Sequence, residues 1–135
     1  MSLELDRENV AERDKILNII TDEKNFGGVH YYTGLDVESL QKLVDLHFAL
    51  PNDNQNDAPT IGEFIEFMKE FPRFKAHGYA VVPERDDYRV SVEGLSFSAN
   101  GGEPLTKKEM IAFMAFNGTA DEFRIYPDHA RSWYD

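Results

Sequence analysis

The chain has 135 residues, 41% of them hydrophobic and 13% aromatic, enough to bury one core without covalent staples and too apolar for global disorder. It contains no cysteine, which excludes disulfides, thiolate zinc sites and cysteine nucleophiles together. A net charge of −11, with 14 scattered basic residues, opposes phosphate backbones and makes nucleic acid a poor partner.

From the start of the chain, Leu3, Val10, Ile16, Leu17, Ile19 and Ile20 recur at helical spacing and predict an amphipathic helix within residues 1–24, closed by "NFGG". Its first half is weakly apolar, which suits an arm or a dimer contact. Residues 1–15 lack the apolar core of a signal peptide and no run reaches membrane-spanning length, so the expectation is a cytoplasmic protein without a membrane partner. "VHYYT" at 29–33 is short and β-prone. Asp36 then stands as a helix cap, with Leu35 and Leu40 as its hydrophobic staple, and the helix carries Val37, Leu40, Leu43, Val44 and Phe48 inward as far as Pro51. His47 flanks that stripe, where a buried, hydrogen-bonded imidazole is the expectation.

A polar loop, "PNDNQNDAPT", leads to Thr60 and Glu63, a capping box that opens a helix with Phe64, Phe67, Phe71 and Phe74 on one side. Glu63, Glu66 and Glu70 fall on the other side as a solvated row. Pro72 ends this helix. Residues 76–83 and 88–99 read as a hairpin around "ERDD", with Val81 opposite Val90 and Tyr79 opposite Val92. Within "YRVSVEGLSFSA" the apolar parity changes at Gly94: Tyr88, Val90 and Val92 alternate on one face, whereas Leu95 and Phe97 fall on the other. A glycine with a parity change marks a β-bulge, and the register puts His77 opposite it.

Thr106 and Glu109 form a second capping box, for a helix running to Asn117 whose body "MIAFMAF" is apolar all round and is expected to be buried against the sheet. "EFRIY" at 122–126 reads as the last strand, seated parallel beside the second hairpin strand or antiparallel to the first. The tail is expected to form a capped turn docking Trp133. These elements predict a single α+β domain: a small, mostly antiparallel sheet, made of the hairpin 76–99 and strand 122–126, packed against three to four helices in one pair of layers.

Two neighbourhoods carry candidate chemistry. Bulges re-aim side chains and are enriched beside active sites, which marks His77, Glu93, Arg89 and Tyr79 as acid, base and binding candidates; ion-paired side chains on a solvated sheet face are the plainer account. Asn52, Asn54, Asn56, Thr60 and Glu63 follow the oxygen spacing of a calcium loop, but with one carboxylate among five ligands and Asp57 where glycine makes the turn, the site would be weak. The capping box accounts for its last two members. The four histidines show no metal-ligand spacing, and no phosphate loop or nucleophile elbow is present. By elimination the expectation is a small acidic, non-enzymatic interaction or regulatory protein, with the acidic helix rows and the open sheet face as contact surfaces, another protein as partner, a homodimer admitted and no cofactor. The alternatives are a small-molecule binder or enzyme at the Gly94 bulge, and a weak calcium binder.

Overall fold

The computed structural model describes residues 5–19, 27–55 and 57–134. Both capping boxes form as their spacing predicts. Thr60 Oγ1 accepts from the Glu63 N–H at 3.1 Å while Glu63 returns the bond to Thr60, opening α3 (Ile61–Glu70). Thr106 and Glu109 do the same for α4 (Lys107–Phe116). Asp36 caps α2 (Val37–Asp45) through the Ser39 N–H at 2.8 Å. These are local side-chain to backbone exchanges, so the sequence around each suffices to form it.

Among the described residues the remaining helix is α1 (Val10–Leu17), shorter than the predicted span; residues 1–4 and 20–26 lie outside the described residues. Leu17 enters the core, and the fully buried Arg13 donates to the Val81 carbonyl at 2.7 Å and to Asp14 at 2.9 Å beneath the Tyr88 ring. α2 stops at Asp45, earlier than predicted. His47 follows it with φ of 64° and is exposed rather than buried, because the chain reverses there to bring Phe48 into the core.

The sheet is antiparallel throughout, in the order β1-β2-β3-β5-β4, formed by β1 (Val29–Leu35), β2 (Lys75–Val81), β3 (Val90–Ser98), β4 (Glu122–Tyr126) and β5 (His129–Trp133). The hairpin and strand 122–126 are thus in place, packed against helices in one pair of layers. Two strands enlarge the predicted sheet: the β-prone "VHYYT" extends into β1, and the tail is a strand rather than a turn. Pro127 and Asp128 form a tight link that folds the tail back, so β5 wedges between β3 and β4. Neither predicted seat for strand 122–126 is therefore occupied; it lies beyond β5.

The helix-facing side of the sheet presents Ala76 and Ala80 on β2, Val90, Val92, Leu95 and Phe97 on β3, and Ala130 on β5. Against it pack Leu40 and Leu43 from α2, Phe64, Phe67 and Met68 from α3, and Phe113 from α4. Phe67 stacks on Phe116 at 4.4 Å and Phe74 on Phe113 at 5.0 Å, which ties α3 to α4. The α4 helix is not buried all round as its composition predicts. Phe113 is enclosed, but Ile111 and Met114 are 57% and 47% exposed, because α4 packs on the core through its Phe113 side alone.

Candidate functional site

The parity change is a bulge, and Glu93 is the extra residue. Beyond it Ala80, Tyr79 and Gly78 pair with Val90, Ser91 and Val92; before it His77 pairs with Gly94, as predicted. The predicted pairs Val81 with Val90 and Tyr79 with Val92 are each displaced by one residue, since the inserted Glu93 shifts the outer half of the ladder. As a result the small residues Ala76, Gly78 and Ala80 face the helices, and the bulky His77 and Tyr79 face outward. β1 is irregular at the same level: Thr33 and Gly34, the latter with φ of 65°, intervene where β2 has only His77. Both neighbours of β2 therefore carry surplus chain beside one residue, and the sheet bends there.

Gly94 lets His77 span that bend. A Cβ at position 94 would lie 2.1 Å from the Ser132 carbonyl oxygen and 2.8 Å from His77 Nε2, so the imidazole passes over the glycine to reach β5. His77 Nε2 lies 2.8 Å from the Ser132 oxygen. Because a carbonyl only accepts, Nε2 carries the proton. Burial pushes the imidazole down to about 4, reinforced by the Arg131 charge and opposed by the Ser132 hydrogen bond, so the ring is neutral at pH 7. One histidine thereby braces three strands.

The other bulge candidates share its face. Arg89 Nη2 donates to the Tyr79 hydroxyl at 2.6 Å and Nη1 lies 3.1 Å from Asp87, while Tyr79 meets Tyr31 edge to face at 6.2 Å. Glu93 accepts from the Trp133 indole at 3.3 Å. Sequence reasoning missed the β5 members of this face, Arg131 and Trp133, because they join it only through strand pairing. A groove of about 670 Å³ continues along β4 and β5, lined by Asp121, Glu122, Phe123, Arg124, Arg131 and Trp133.

The calcium-like loop serves another purpose. Glu63 and Thr60 are engaged in the capping box, Asn54 Nδ2 donates to the Ala58 carbonyl at 3.0 Å, and Asn56 lies outside the described residues. Gln55 accepts from Ser91 Oγ at 2.7 Å and donates to the Tyr134 carbonyl at 3.2 Å, so the loop crosses beside β3 next to the end of β5. A single glutamine in a polar run offers no sequence signal for that role. Glu66 and Glu70 are exposed, Glu66 beside Lys69 at 3.6 Å, and His129 stacks on Tyr126 at 4.7 Å. Among the described residues no three histidine or carboxylate side chains gather as a metal group, and no helix is long and apolar enough to cross a membrane.

Compared with known proteins, the chain matches no family model, no curated protein and no solved structure.

Proposed function

We propose that the chain is a non-enzymatic protein-interaction module whose contact surface is the sheet face opposite the helices. The observation that carries this reading is the make-up of that face. Tyr31 and Tyr126 are 67% and 52% exposed on it, with Trp133 between them and Arg124 and Arg131 alongside. Aromatic and arginine side chains are the residue types that dominate binding energy in protein interfaces, and here they are spread across the outer face from one edge strand to the other. Cations and carboxylates are nearly balanced there, in a chain of net charge −11, so an acidic partner meets least repulsion on this face.

The enzyme alternative draws less support: the His77 N–H is committed to Ser132, and its ring is buried and neutral for a structural reason. The test is a pull-down from the protein's own cell extract with wild type and with a Tyr31→Ser, Tyr126→Ser, Arg131→Ser triple variant, each also weighed by native mass spectrometry. A discrete partner should be captured by wild type and weakened about a hundredfold by the variant, while Glu66→Gln, Glu70→Gln retains it. A copurified small molecule with no protein partner, or capture indifferent to the three substitutions, overturns the reading.

A further inference from the structure

The two edges of the sheet differ. β1 is broken by Thr33 and Gly34, the kind of bulge that keeps an edge from pairing with another chain. β4 has no such protection. Its pairing with β5 is regular from Glu122 opposite Trp133 to Tyr126 opposite His129, it contains no proline or lysine, and its helix-side residues Phe123 and Ile125 are apolar. Phe123 is 41% exposed, and its ring meets Phe113 of α4 edge to face at 6.3 Å.

We propose that β4 pairs with β4 of a second copy of this chain about a two-fold axis perpendicular to the sheet and midway between the two Phe123 residues. Such an axis keeps the helices of both copies on one side and brings the two α4 helices together. Only registers of even offset keep the apolar faces aligned, and among these the charges choose. Centring the axis on Glu122 sets Glu122 against its own copy, and centring it on Arg124 sets two arginines together. Centring on Phe123 places Glu122 opposite Arg124 of the second copy, twice, with the two Phe123 rings meeting on the helix side. A second observation points the same way. Arg124 sits directly opposite Arg131 across the β4–β5 pair, a like-charge contact that destabilises the edge, and no described residue pairs with Arg124. Glu122 of the second copy supplies that missing counter-charge.

Sedimentation equilibrium across the micromolar range tests this. Wild type should give the mass of two chains. Arg124→Glu should weaken association at least tenfold, since it places glutamates opposite each other at both contacts while relieving Arg131 within the monomer. Adding Glu122→Arg to that variant should restore the dimer, because the swapped charges again oppose. In this cysteine-free chain, Phe123→Cys should form a disulfide-linked dimer under mild oxidation, and Tyr31→Cys on β1 should not. A monomer at every concentration, a dimer unmoved by Arg124→Glu, or equal crosslinking at Tyr31→Cys overturns the proposal. Partner capture is read in the extract and self-association on the purified chain through the Glu122 and Arg124 charge swap, so the two readings fail separately.

Discussion

Gly94 and His77 form one unit at the scale of residues, and each can be challenged alone. Gly94→Ala forces a methyl group onto the Ser132 carbonyl, held in the ladder, and onto the imidazole bonded to it, so it is expected to cost about 3 kcal/mol or more, read as a lower denaturation midpoint. His77 makes stability depend on pH. Its folded value near 4 lies below the unfolded 6.5, so the unfolded chain binds the proton first: stability is full above pH 6.5 and is lost as pH falls towards 4, by about 3 kcal/mol in total. His77→Gln keeps a donor for Ser132 but cannot titrate, so its denaturation midpoint should be flatter than wild type across that window. The existence of the bulge was legible in the parity of "YRVSVEGLSFSA" and in the glycine. That Glu93 is the surplus residue was not, because it depends on which register buries the small residues of β2.

Elements began where local chemistry started them and ended where tertiary packing decided. The caps at Asp36, Thr60 and Thr106 all formed, since each satisfies first-turn N–H groups within its own few residues. β5 and the exposed side of α4 could not be read in the same way: "HARSW" becomes a strand only between β3 and β4, and "MIAFMAF" looks equally apolar whichever of its sides packs on the core. The α4 start is also pinned from outside. Arg73 grips Glu109 with Nε at 3.0 Å and Nη2 at 2.7 Å, holds the carbonyls of Glu103 and Pro104, and lies over Phe97. The arginine holds the Glu109 carboxyl down to about 2, against the opposing effect of burial. Arg73→Ala should lower stability by about 1 kcal/mol at neutral pH, given partial solvent screening of the pair. Because the folded carboxyl value lies below the unfolded one of 4.5, that deficit should shrink as pH falls from 4.5 to 2, which acid titration of the two proteins would show.

The whole molecule divides its labour between the two faces of one sheet. The helix side holds the aromatic core, and the opposite side carries Tyr31, Tyr126 and Trp133 with Arg89, Arg124 and Arg131. The broken edge of β1 sets a limit on what the regular edge of β4 can do. A sheet with two joinable edges adds copies without end, and each addition exposes the next growth site. If β4 joins a second copy as proposed, only bulged β1 edges remain at both extremities, and growth terminates after one step. On that proposal Thr33 and Gly34 would be a chain stopper, giving a sheet that could otherwise seed a fibril a fixed stoichiometry.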